Sequence, residues 1–135
     1  MNQPVIFVDD DEDELYLYNT ISSQCQLGDS VMTVNSGMEL MQMLEHQNIS
    51  PRIILLDINM PKMNGFDVLK RIRQLESCRY TPVVMLSTSS SKDNVEMAYR
   101  SGANSYLTKA ITYNKIVEQI ELIKSYWLDS NKTIQ

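Results

Sequence analysis

Two aliphatic runs without alternation, Ile53-Ile54-Leu55-Leu56 and Val83-Val84-Met85-Leu86, constrain this chain most. A strand with one face in water alternates apolar and polar residues; a strand that does not is covered on both faces, as in a parallel sheet. Each run follows a proline (Pro51, Pro82) and leads into polar residues. Val5–Val8 and Val31–Val34 read the same way, and Ser105-Tyr106-Leu107 is a short fifth strand. The segments between them have helical period. Ile116, Ile120, Ile123 and Trp127 recur at helical spacing with Glu118, Glu121 and Lys124 opposite, which predicts an amphipathic helix. Leu17, Tyr18, Ile21 and Cys25 mark the first helix, Leu40, Met41 and Leu44 the second, Val68, Leu69, Ile72 and Leu75 the third, and Val95, Ala98 and Tyr99 the fourth, with Gly102 as its stop. Strand and helix alternating five times imply a doubly wound α/β fold: five parallel strands, right-handed crossovers and helices on both faces. At 135 residues the chain is about one domain long.

Ligands of such folds bind beyond the carboxyl ends of the strands. The first strand runs into Asp9-Asp10-Asp11-Glu12-Asp13-Glu14, the third into Asp57-Ile58-Asn59, the fourth into Ser87-Thr88 and the fifth into Thr108-Lys109. Asp9, Asp10 and Asp57 should therefore converge, with Ser87 and Lys109 on the far side of Asp57. Three carboxylates and one ammonium repel unless a divalent cation joins them. Hard oxygen donors suit Mg²⁺; no His/Cys set for zinc exists, since the only histidine, His46, falls on the second helix as a surface imidazole. A carboxylate between a metal and a lysine is also a nucleophile towards phosphorus, with the cations neutralising the transferring oxygens. Asp11, Glu12, Asp13 and Glu14 read as first-turn residues favoured by the helix dipole.

Charge supports this division. Residues 1–67 hold eleven acids and two bases, residues 68–135 six acids and ten bases, so the acid side needs a cation that the other half supplies only in part. The net charge of -5 argues against a nucleic-acid or anionic-membrane binder. No apolar run approaches the ~20 residues of a membrane span. Met1-Asn2-Gln3-Pro4 lacks the basic and apolar regions of a signal peptide, and Cys25 and Cys78 read as two reduced thiols, so a cytoplasmic location is expected.

The pieces VIFVDDD, IILLDINMPKMNGFDVL, VVMLST and GANSYLTKA, in this order, resemble the receiver domain of two-component response regulators, in layout the single-domain chemotaxis-regulator type. The resemblance runs from Val5 to about Trp127 and is most specific from Ile53 to Gly65. It implies a flavodoxin-like (βα)5 fold with strand order 2-1-3-4-5, a receiver domain over residues 1–129, and a short tail over 130–135 with no output domain. It further implies that Asp57 accepts a phosphoryl group from a sensor histidine kinase, a histidine phosphotransfer protein or a small donor such as acetyl phosphate. Mg²⁺ would be held by Asp10, Asp57 and the backbone carbonyl of Asn59, with Asp9 acting through water. Lys109 and Ser87 would bind the phosphoryl oxygens, and Tyr106 would fill the space that Ser87 vacates. The face of the fourth helix, fifth strand and fifth helix would then change for a downstream effector, or serve a homodimer. Asn59 and Ser89 would set the phosphoryl lifetime. Such a module catalyses only its own phosphorylation and dephosphorylation.

Two positions depart from the family. Lys109 is followed by Ala110 where the family usually has a cis proline; a cis bond costs ~2.5–4 kcal/mol before a non-proline residue against about 0.5–1 before proline. A trans bond is expected, which puts the reach of Lys109 in question and predicts phosphorylation slower than in a Lys-Pro relative. Thr88, β-branched where a small residue is common, narrows access to Asp57. Three competing functions remain. A haloacid-dehalogenase-like phosphatase needs a second Asp where Asn59 stands, and a flavodoxin-like nucleotide binder would have its phosphate repelled by six acids in the first loop. The third is a receiver-like interaction module with weak or no phosphotransfer, for which Ala110 is the sequence hint.

Overall fold

The computed structural model describes residues 3–27, 30–47 and 49–133. Five strands alternate with five helices: β1 (Val5–Val8), α1 (Glu12–Gln24), β2 (Val31–Val34), α2 (Gly37–His46), β3 (Ile53–Asp57), α3 (Gly65–Gln74), β4 (Val83–Ser87), α4 (Lys92–Ser101), β5 (Ser105–Thr108) and α5 (Tyr113–Ile123). The strands form one parallel sheet in the order β2-β1-β3-β4-β5, as the resemblance implies. Every residue of β1, β3 and β4 is buried, the physical counterpart of runs that do not alternate. The edge strands β2 and β5 are only partly covered.

Side chains alternate along each strand, so the sheet feeds two cores. Ile6, Val8, Ile54, Leu56, Val83 and Met85 point to one face, where α2, α3 and α4 bring Leu40, Leu44, Val68, Leu69, Ile72 and Ala98. Val5, Phe7, Ile53, Leu55, Val84 and Leu86 point to the other, against Tyr18 and Ile21 of α1 and Ile116, Ile120 and Ile123 of α5. Truncating a wholly buried residue such as Leu56 or Ile54 to alanine would cost about 2–5 kcal/mol.

Two sequence expectations need correction. Tyr99 of α4 is 50% exposed rather than core, and Val95 is only half-buried. α4 buries only Ala98 and Ser101, too narrow a stripe to include its flanking apolar residues. The last helix also changes pitch: after Ile123 the chain continues as a π-helical turn over Lys124–Ser130. Its i→i+5 bonding breaks the phase read from Ile116 to Ile123, and Trp127 ends half-buried beside the α5 core instead of inside it.

In a parallel sheet the helices begin where the strands end. Asp11, Ser36, Asn64, Ser91 and Thr112 each cap a helix N-terminus through the side chain, worth roughly 0.5–2 kcal/mol apiece. Five positive helix-dipole ends therefore gather at the edge that carries the acids. Gly65 allows the closest approach: a Cβ there would lie 2.4 Å from the Asp57 carbonyl oxygen and 2.9 Å from the Ile58 Cα, so any side chain would push α3 off the end of β3. At the opposite edge Gly102 ends α4 at φ 110°, where an L side chain is strained.

Candidate functional site

Three strand ends deliver the central residues. Asp9 follows β1, anchored by its own N–H to the Val34 carbonyl at 3.1 Å. Asp57 is the last residue of β3, in register with Leu86 of β4. Lys109 follows β5 and donates its N–H to the Ser87 carbonyl at 2.7 Å. Asp9 and Asp57 are buried and Asp10 is exposed. One carboxylate oxygen from each of Asp9, Asp10 and Asp57 lies within 4.8 Å of the others. Such a donor set, all carboxylate oxygen with no imidazole or thiolate, fits a hard divalent cation.

Lys109 faces this cluster. Its Nζ lies 2.8 Å from Asp9 Oδ2, 2.8 Å from Glu14 Oε2 and 3.2 Å from Asp57 Oδ1, so its three donors meet three carboxylates. The peptide bond to Ala110 is trans, as expected. The question over the reach of Lys109 is answered: the ammonium arrives at Asp57 without a cis bond. Asp9 is fully engaged, its Oδ1 accepting the Asp11 N–H at 2.9 Å while Oδ2 holds Lys109.

Glu14 is the residue that sequence reasoning missed. It was assigned to the helix start, yet it reaches Lys109 as closely as Asp9 does. A signal was present: Glu14 stands one turn before Tyr18, on the stripe that continues through Ile21 towards α5. For its neighbours the dipole reading suffices, since Asp11 caps α1 and Glu12 and Asp13 lie exposed in the first turn.

Crowding shows in the protonation equilibria. Burial, with the Asp9 charge added, pushes the Asp57 carboxyl up to about 6 against the pull of Lys109. A hydrogen bond shared with Asp9, then burial, raises Glu14 to about 7. Burial opposes ionisation of Asp9 too, but the hydrogen bonds from Glu14, Lys109 and the Asp11 N–H outweigh it and hold this carboxyl below its ordinary value. Burial disfavours the Lys109 ammonium, and its bonds to Asp9 and Glu14 more than reverse that, so it stays charged.

The β4 side of Asp57 is neutral. Ser87 is wholly buried and its Oγ accepts the Ser89 N–H at 3.1 Å. Ser89 Oγ in turn accepts from the Ser91 N–H and the Asn94 amide, both at 3.2 Å. Tyr106 is half-buried against the α2-α3-α4 core and donates its hydroxyl to the Ser89 carbonyl at 2.6 Å. Asn59, two residues past Asp57, is exposed, as is Thr88.

The sequence and fold both match known proteins. Residues 5–121 match the family model of the response regulator receiver domain. The chain is 29% identical to the response regulator Rcp1 of Synechocystis over 131 residues, 93% of this chain and 89% of Rcp1. It is 42% identical to a probable methanogenesis regulatory protein, FilR2, of Methanothrix harundinacea over 83 residues, 62% of this chain but only 54% of that relative. The Mn²⁺-bound crystal form of Rcp1 superposes with a TM-score of 0.87 at 28% identity, covering 99% of this chain and 100% of that one. The phosphorylated cyanobacterial phytochrome response regulator RcpA gives 0.88 at 31% identity with the same coverage. The chain thus belongs to the response regulator receiver domain family, the phosphoryl-accepting modules of signal transduction.

Proposed function

We propose that Asp57 is the carboxylate that accepts the phosphoryl group, in a Mg²⁺-dependent reaction with a sensor histidine kinase or a histidine phosphotransfer protein. The observation that carries this reading is the placement of Asp57: buried at the end of β3, within metal-ligand spacing of Asp9 and Asp10 and 3.2 Å from the Lys109 ammonium. Asp10, Asp57 and the Asn59 backbone carbonyl would hold the cation, with Asp9 acting through water because Lys109 and the Asp11 N–H already occupy its oxygens. A bound Mg²⁺ supplies charge neutralisation at the transferring oxygens. Mn²⁺ in Rcp1 supports a divalent ion of this class.

An Asp57 oxygen attacks phosphorus in line. The new bond is O–P, the broken one is P–N to the donor imidazole, and the electron pair leaves with that nitrogen. Lys109 meets the developing charge on the phosphoryl oxygens, and the Ser87 hydroxyl donates a second hydrogen bond once it turns from the Ser89 N–H. That turn loosens the Ser89 loop, to which the Tyr106 hydroxyl is tied, so Tyr106 and the α4-β5-α5 face rearrange together. This face suits a downstream effector: Tyr99, Ile111, Leu122 and Tyr126 are exposed there, beside a groove of about 810 Å³ along β5 and α5. Asn59 and Ser89 flank the path of the hydrolytic water and set the phosphoryl lifetime; a dephosphorylation rate unmoved by substitution at both would remove that role.

The test is intact-mass analysis after incubation with acetyl phosphate and Mg²⁺. Wild-type protein gains one phosphoryl mass, while Asp57→Asn and protein treated with chelator gain none. A full adduct on Asp57→Asn would refute the assignment.

A further inference from the structure

The Lys109–Ala110 step lacks the proline common in relatives, and what stands there instead is a side chain from α5. Ala110 carries an N–H that proline would not, and β5 ends at Thr108, so the sheet ladder cannot take it. Gln119 Oε1 accepts this N–H at 3.3 Å, and Gln119 Nε2 donates to the Thr108 carbonyl at 2.9 Å. One amide thus ties the residues immediately before and after Lys109. The orientation of the amide is unambiguous, because a backbone N–H only donates and a carbonyl only accepts.

We propose that Gln119 is a positioning residue for Lys109, its side-chain amide fixing the backbone on both sides of the lysine so that the ammonium reaches Asp57. This rests on the reading of Lys109 as the phosphoryl-binding cation. The physical need is plain: Lys109 ends in a flexible four-carbon stem, and two residues later the chain is exposed at Ile111. Outside the clamp, the segment is anchored before Lys109 by the β4–β5 ladder and the Lys109 N–H to the Ser87 carbonyl, and after it by the start of α5, where Thr112 Oγ1 caps the Lys115 N–H at 3.4 Å. Ile116 and Ile123, one turn either way on α5, are buried, so Gln119 is held from a rigid base. A preorganised lysine loses less freedom on binding the phosphoryl group, which is how a residue that never touches phosphorus alters the rate.

Gln119→Leu keeps the helix and removes both bonds. Its circular-dichroism melting temperature should stay close to wild type, which separates the effect from unfolding. Hydrogen exchange of the Ala110 amide should speed up by about tenfold, and phosphorylation by acetyl phosphate at saturating Mg²⁺ should slow by roughly three- to tenfold, the scale of one or two lost hydrogen bonds. In a Lys109→Ala background the same substitution should cost nothing further, because its effect passes through Lys109. Unchanged Ala110 exchange, an unchanged phosphorylation rate, or equal slowing with and without Lys109 would each overturn the proposal. If wild-type protein takes no phosphoryl group at all, the reading of Asp57 falls, while Ala110 exchange still decides whether the clamp exists.

Discussion

On the β1 side of Asp57, Asp9 and Glu14 share a single ammonium with Asp57, with Lys109 contacts of 2.8, 2.8 and 3.2 Å to Asp9, Glu14 and Asp57. On the β4 side, Ser87, Ser89, Asn94 and Tyr106 are joined by neutral hydrogen bonds of 2.6–3.2 Å. The two sides have similar reach and differ in kind. Charge-assisted bonds are about twice as strong as neutral ones, and a buried ion left alone costs several kcal/mol. Each neutral bond contributes only about 0.5–1.5 kcal/mol net. The charged side is therefore fixed until another cation enters, whereas the neutral side can rearrange for a few kcal/mol. Inverting a 1:99 equilibrium takes about 5.5 kcal/mol, within the scale of two charge-assisted bonds to a phosphoryl group at roughly 1.5–3 kcal/mol each. On the proposed reading, phosphoryl transfer centres on the first side and the rearrangement that follows on the second.

The strongest way to break this comparison is to remove the shared cation. Lys109→Ala leaves Asp9, Glu14 and Asp57 without their partner; in metal-free buffer the unfolding free energy should fall by about 3–5 kcal/mol, and Mg²⁺ should restore part of it. Acetyl phosphate labelling at saturating Mg²⁺ should slow by about 10²-fold, as when one preorganised donor is lost from a transition state. Stability unchanged in urea titrations would mean that Lys109 does not hold the acid side.

Protons test the same side without a mutation. Asp57 and Glu14 sit above their ordinary values, at about 6 and about 7. A raised carboxyl binds protons more tightly in the folded than in the unfolded chain, so its contribution is stabilising at low pH and is lost as pH rises. Metal-free protein should lose roughly 2–3 kcal/mol from Asp57 between about pH 4 and 6, with Glu14 extending the decline towards 7. Asp9, held below its ordinary value, works the other way only at still lower pH. Mg²⁺ affinity should run opposite to stability, tightening by up to about tenfold per pH unit as protons leave Asp57 below pH 6. Calorimetric titrations at pH 5 and pH 8 with equal affinities would contradict this.

A smaller effect is expected at the residue that joined the site unannounced. Glu14→Gln keeps an acceptor for Lys109 and removes one negative charge, so at pH 8 Mg²⁺ binding should weaken by about three- to tenfold with the melting temperature nearly unchanged. The smallest belongs to the neutral side. Tyr106→Phe loses one hydrogen bond to the Ser89 carbonyl, about 1 kcal/mol. Its labelling rate should stay within about twofold of wild type, while the phosphorylation-dependent amide shifts of residues 87–91 change. A labelling rate that fell as far as in Lys109→Ala would erase the distinction between the two sides.

How much of this was legible in the sequence follows from which signals had a single explanation. Runs such as Ile53–Leu56 admit one environment, a strand buried on both faces, and the sheet and its strand-end residues followed from them. Asp57 and Lys109 were legible because the fold puts strand ends together. Glu14 was harder to read: its place on the Tyr18–Ile21 stripe is visible, but an acid in a first turn is already explained by the helix dipole, and it is the packing of α1 against α5 that aims it at Lys109. Tyr99 misled because apolar period says which residues share a face, not how wide a stripe the neighbours cover. Gln119 left no trace, since a bond between a helix and the turn eleven residues earlier depends on where α5 docks.

Chemical trapping tests the central claim most directly. Protein phosphorylated with acetyl phosphate and Mg²⁺, reduced with borohydride and mapped by tandem mass spectrometry, should show Asp57 alone converted to homoserine. Conversion at Asp9, Asp10 or Glu14 in place of Asp57 would contradict the assignment of chemistry to the end of β3.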